Sequence, residues 1–150
     1  MTNLGPQTKD DIEIIIDARD QVVARVTAWN PDDIVCDVRV GRHRFSTDDP
    51  SLPGGSDAGP SATELVLSGL ATEAAQQVRV AAKEGGWDPG DVYVHCRLVR
   101  DTGGVHRIER DIRMQRQLLP EQRQTVLSIA VTVPLADVLG ASIEIATTVW

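Results

Sequence analysis

Asp48-Asp49-Pro50-Ser51-Leu52-Pro53-Gly54-Gly55-Ser56-Asp57-Ala58-Gly59-Pro60 runs without a break into Ser61-Ala62-Thr63-Glu64-Leu65-Val66-Leu67-Ser68-Gly69-Leu70-Ala71-Thr72-Glu73. The first half is turn chemistry, with Gly, Pro and Asp setting the backbone at almost every step. The second half opens with Ser61 and, three residues on, Glu64, the spacing of a capping box. An apolar run follows at once. A helix is therefore expected from here to about Glu84, where Gly85-Gly86 stops it.

From Leu65 to Ala82 this helix is apolar nearly all round: Val66, Leu67, Leu70, Ala71, Ala74, Ala75, Val78, Val80 and Ala81 leave no broad polar face. Such a helix is normally buried on several sides. In a domain of this size that means a sheet on one side and a second subunit on another, and Gly69 and Ala71 would let another backbone come close. Glu73 breaks the pattern. It is spaced by three, four or seven residues from Val66, Gly69, Leu70, Gln77 and Val80, so it lies on a largely apolar stripe. An unpaired buried carboxylate is costly and tends to protonate. Two readings stay open: Glu73 is held by an arginine, or meets solvent at a subunit seam, with Arg19 and Arg44 as partners; or it is a functional acid or ligand anchor in a cleft.

On the N-terminal side, residues 12–17 and 21–29 read as strands around the turn Ala18-Arg19-Asp20, the second alternating Val22, Ala24, Val26 and Ala28. Asn30-Pro31-Asp32-Asp33 is a turn. Residues 34–40 are a third strand, punctuated by Gly41 before a short extension over 43–45. Beyond the helix, strands over 91–100 and 105–115 flank the hairpin turn Asp101-Thr102-Gly103-Gly104. A helix over 120–131, a short one over 134–139 and a strand over 142–149 complete the chain. Meanders and helices segregated in this way indicate an α+β class. Residues 1–10 read as a flexible lead-in and 11–150 as one domain.

Composition narrows the function. Aromatic residues are 3% of a chain that is 41% hydrophobic, so Val, Ile, Leu and Ala must fill the core. A formal charge of −7 argues against nucleic acid, which needs clustered cations. Arginines recur between 97 and 123, but acids are interspersed, as on a solvated face. No stretch approaches the ~20 apolar residues of a membrane span, and the polar first residues, with Gly5 and Pro6, look unlike a signal peptide or anchor. A cytoplasmic protein is expected. Cys36 shares a strand face with Ile34, Val38 and Val40, and Cys96 with Val92, Val94 and Leu98; both read as small inert hydrophobes. His43, His95 and His106 sit on separate strands, so no metal is expected. The glycine-rich loop lacks a following Lys-Ser/Thr and any dinucleotide spacing, so no cofactor is expected either.

The loop and helix resemble the OsmC/Ohr family of thiol peroxidases, whose unit reads roughly D-x-P-x-x-G-G-x-x-x-G-P-S-P-x-E-L-L-L-A-A-L-A-x-C. Gly41 to Phe45 with Asp48-Asp49-Pro50, Leu118-Leu119-Pro120-Glu121-Gln122-Arg123, Ala130-Val131-Thr132-Val133-Pro134 and Ile143-Glu144-Ile145 resemble further family segments in the right order. The likeness spans about residues 33–150. It implies an OsmC-like fold, antiparallel sheets around a long central helix, and an intertwined homodimer with the site at the seam.

The resemblance also implies a two-cysteine mechanism, one thiolate attacking peroxide and a second thiol resolving the sulfenic acid. Here those positions are Glu73 and Val133, and neither can do that chemistry. The acid of the Ohr branch falls on Thr63, and its activating arginine on Arg19. The expectation is a hydroperoxide-stress family fold, silent as a peroxidase, whose pocket near Arg19, Arg44, Thr63 and Glu73 binds a small apolar or acyl ligand. The alternatives are a hydroperoxide reductase using Cys36 or Cys96, or an acid-catalysed enzyme built on Glu73.

Overall fold

The computed structural model describes residues 24, 26–31, 34–132, 135, 139 and 144–149, the last segment by its backbone except at Val149. The element order is β1 (Thr27–Trp29), β2 (Cys36–Val40), β3 (His43–Thr47), α1 (Ala62–Glu84), β4 (Val92–Arg100), β5 (His106–Met114), α2 (Pro120–Thr132) and β6 (Glu144–Val149). The expected α+β class is observed, with long meanders on either side of α1.

Two three-stranded sheets form. The first, β1-β2-β3, is antiparallel throughout, with Val38 opposite both Ala28 and Phe45. Gly41 turns β2 into β3 at a φ of 58°, a left-handed conformation that costs glycine little. The short extension expected after it is a full strand to Thr47, because register with β2 carries the pairing on to Cys36 opposite Thr47. The second sheet has the order β4-β5-β6. β4 and β5 pair antiparallel as a long hairpin, but β6 runs parallel to β5. The expectation of antiparallel sheets is corrected at this one strand. Its cause is α2, which intervenes between β5 and β6 as the crossover that a parallel pair requires.

α1 packs on β4, α2 packs on β6, and the two helices touch each other. Both therefore lie on one face of the second sheet. The core there joins Ala74 and Val78 of α1, Ile112 of β5, Val126 and Ala130 of α2, and Val149 of β6. Burying side chains the size of Ile112 and Val78 contributes roughly 1.5–3 kcal/mol each. β5 feeds this core by strict alternation: Ile108, Arg110 and Ile112 are buried, while their neighbours are not. A charged residue thus holds an inward position.

Among the described residues, the fully buried positions of α1 form one stripe, Leu70, Ala74, Val78 and Ala82. Val66 and Val80 remain exposed. The β1-β2-β3 sheet packs extensively on neither helix among the described residues, and its one buried apolar side chain is Val38. The face expected from Ala24, Val26 and Ala28 is exposed as well. The strand expected over 12–17, residues 21–23 and 25 of that over 21–29, and most of the short helix over 134–139 lie outside the described residues. No described helix is long and apolar enough to cross a membrane.

Candidate functional site

The loop before α1 is organised by one carboxylate. Asp48 is buried, and its Oδ1 accepts the Asp49 N–H at 2.8 Å. Its Oδ2 accepts the Ser56 N–H at 2.8 Å, the Ser56 hydroxyl at 2.8 Å and the Ala58 N–H at 3.1 Å. Those donors, the Ala58 and Ser56 amides foremost, pull its pKa down to about 2. Two glycines make the turn possible by close approach. A Cβ on Gly55 would lie 2.1 Å from the Asp49 carbonyl oxygen, and one on Gly59 would lie 2.1 Å from that of Ser46.

The loop delivers the chain to α1 through the expected capping box. Glu64 Oε2 accepts the Ser61 N–H at 2.7 Å and the Ser61 hydroxyl at 2.9 Å, and Ser61 Oγ accepts the Glu64 N–H at 3.3 Å. These bonds hold the Glu64 pKa below its ordinary value. Ser61 and Glu64 therefore satisfy donors that a bare helix start leaves open.

Between this corner and β4 runs a groove of about 550 Å³. Pro60, Leu67, Ala71 and Val94 supply its apolar wall, and Asp57, Glu64, Ser68, His95 and Cys96 its polar one. β4 is an edge strand of its sheet among the described residues, paired with β5 on one side only, and it forms one wall of the groove. Asp57 sits at its rim with a φ of 60°, left-handed backbone that Asp tolerates better than most residues.

Glu73 does not line the groove. Half-buried on α1, its carboxylate accepts the Leu135 N–H, at 3.1 Å to Oε2 and 3.4 Å to Oε1. One turn earlier, a Cβ on Gly69 would stand 3.0 Å from Leu135 Cδ2. Gly69 thus admits a side chain of the C-terminal segment rather than another backbone.

The cation that senses Glu73 is Arg110, 1% exposed at its inward position on β5. Its Nη2 donates to the Ala130 carbonyl. Burial lowers its pKa, while Cys96 and Glu73 favour its charge. Cys96 lies directly opposite Arg110 in the β4–β5 register. Desolvation raises the Cys96 pKa, and Arg110 pulls it only part of the way back. The thiol is kept protonated.

Of the site residues expected from the sequence, Arg44, Thr63 and Glu73 are described, and none of them lines the groove. Arg44 is exposed on β3, and no ion pair joins it to Glu73 among the described residues. Thr63 is exposed in the first turn of α1. Arg19 and Val133 lie outside the described residues. Sequence reading missed three things: the inward Arg110, taken for part of a solvated face; the cation it sets beside Cys96; and the groove that Cys96 lines. The phase of Ile108-Glu109-Arg110-Asp111-Ile112 carried the first signal, since an arginine in step with two isoleucines points inward.

No protein-family model matches this sequence, and no curated protein does. Solved structures do match. A protein of Psychrobacter arcticus 273-4 named for an osmotic stress induced and detoxification response superposes with a TM-score of 0.74 at 16% identity, over 88% of this chain and 99% of that one. An OsmC-like protein of Mycoplasma pneumoniae gives 0.66 at 14% identity, over 85% and 95%. The organic hydroperoxide resistance protein OhrB of Bacillus subtilis gives 0.62 at 16% identity, over 86% and 98%. The chain has the OsmC-like fold.

Proposed function

We propose that this protein is a divergent OsmC/Ohr-type homodimer that has lost thiol peroxidase chemistry and binds a small molecule in the groove between α1 and β4. The observation that carries this reading is the site itself. The fold's frame is intact and leaves a ligand-sized groove, while Glu73 holds the position where the resembled family keeps its reactive thiol.

A carboxylate there has a structural task available. It bonds the Leu135 amide and offsets the buried charge of Arg110. The condition for acid catalysis on Glu73 is an accessible cleft with a second titratable group, and Glu73 is not among the groove residues. Dimerisation is supported by the single fully buried stripe of α1, by exposed Val66 and Val80, and by a first sheet with no extensive helix packing among the described residues. Obligate dimer interfaces of this apolar kind bury ~2,000 Å² or more in total. Light scattering at micromolar concentration should give twice the 16.3 kDa chain mass; a monomer contradicts the assembly.

Ligand binding is tested by amide NMR with small neutral apolar probes. Shifts are expected to concentrate at Leu67, Ala71, Val94 and Cys96, and a probe set that leaves all four unmoved contradicts the reading.

A second reading rests on one observation: Cys96 lines the groove and has Arg110 across the sheet. If Cys96 were a displaced peroxidatic thiol, peroxide would sulfenylate it ahead of Cys36. Its raised pKa favours the silent reading.

A further inference from the structure

The groove has two natural anion receptors on its flank, and both are already filled by the chain's own carboxylates. The start of α1, where exposed N–H groups and the helix dipole favour negative charge, is closed by Ser61 and by the Glu64 carboxylate. The turn of amides at Ser56 and Ala58 is closed by Asp48. The groove wall then adds charge of the same sign. Asp57 and Glu64 line it; among the described residues His95 is its one basic side chain, and no lysine or arginine joins them. The buried cation behind Cys96, Arg110, does not line the groove and feels the opposite charge of Glu73. A ligand entering along Leu67, Ala71 and Val94 therefore meets an apolar floor and an anionic rim.

Resting on the reading that the groove binds a small molecule, we infer that its ligand is an organic cation, an amine on a compact apolar body, and that carboxylates and other organic anions are rejected. An ammonium gains from Asp57 and Glu64 what a carboxylate loses to them. The apolar body fills the floor, and a volume of about 550 Å³ suits a body the size of a phenylalkyl chain.

The test is calorimetric titration of the full chain at pH 7 and low salt with 4-phenylbutylamine, 4-phenylbutanol and 4-phenylbutyrate, which share one apolar body. The amine is expected to bind about tenfold tighter than the carboxylate, with the alcohol between them. Glu64→Gln with Asp57→Asn should bring the three within about threefold of one another; the introduced glutamine's amide oxygen still accepts the Ser61 N–H, so the helix start is kept. Ser68→Trp, on the groove wall, should block all three. If the carboxylate binds as tightly as the amine, or the double variant keeps the preference, the cation inference is overturned while the groove reading stands. If none of the three binds, or Ser68→Trp leaves binding unchanged, the groove reading itself falls and the inference with it.

Discussion

Asp48 and Glu73 are both carboxylates on the same loop-helix unit, and they live in opposite circumstances. Asp48 is surrounded by donors from its own loop, and every bond it makes is local. Glu73 accepts one amide from a segment 62 residues away and sits within the field of an arginine from β5. The first carboxylate builds the frame of the OsmC-like fold. The second ties the central helix to the C-terminal segment. The contrast teaches that frame and site draw on different parts of the chain: one carboxylate is held by donors within ten residues, the other by an amide 62 residues away.

The comparison can be broken most forcefully at the loop's close approaches. Gly59→Ala and Gly55→Ala each drive a Cβ into a backbone carbonyl and should cost ~3 kcal/mol or more in urea unfolding. A loss below ~1 kcal/mol would mean that the loop relaxes and is not a rigid frame.

Asp48→Asn comes next, and its signature is pH dependence. Its folded pKa, about 2, lies below the ordinary 3.8. The carboxylate's stabilisation is therefore fully present above pH ~4 and is lost as pH falls toward 2. Wild type and variant should differ most in thermal midpoint near neutral pH and converge toward pH ~2. A difference that stays constant across that window would assign the effect to packing.

At the other pole, Glu73→Gln keeps an acceptor for the Leu135 amide but removes the charge that offsets Arg110. A loss of about 1–3 kcal/mol is expected, and less than that when Arg110→Met is already present. The double-mutant cycle reports this coupling directly. Strict additivity would separate the two residues. Smallest in the series is Ser61→Ala, about 1 kcal/mol from the lost cap, read from the same unfolding curves.

Most of the frame was legible in the sequence because its determinants are local. Ser61 and Glu64 announce a capping box, Gly85-Gly86 ends α1, and Asp101 to Gly104 turns one strand into the next, all within a few residues of the structure they cause. The site was less legible because its contacts are distant. Nothing near Glu73 in sequence names Leu135 or Arg110, and the search for its arginine among nearby turns led to Arg44, which stands exposed on β3. The parallel placement of β6 has the same origin, since it depends on where α2 returns the chain. Arg110 was visible in outline through its phase with Ile108 and Ile112. Its pairing with Cys96 needed the register.

The central claim is that the frame persists without the peroxidase. It is tested most directly by the initial rate of dithiol-dependent reduction of cumene hydroperoxide, compared with that of the Cys36→Ala, Cys96→Ala double variant. The two are expected to be equal and close to the rate without protein, because Glu73 cannot attack a peroxide and the Cys96 thiol is held protonated. Catalytic turnover by the wild type that disappears in the double variant would contradict it.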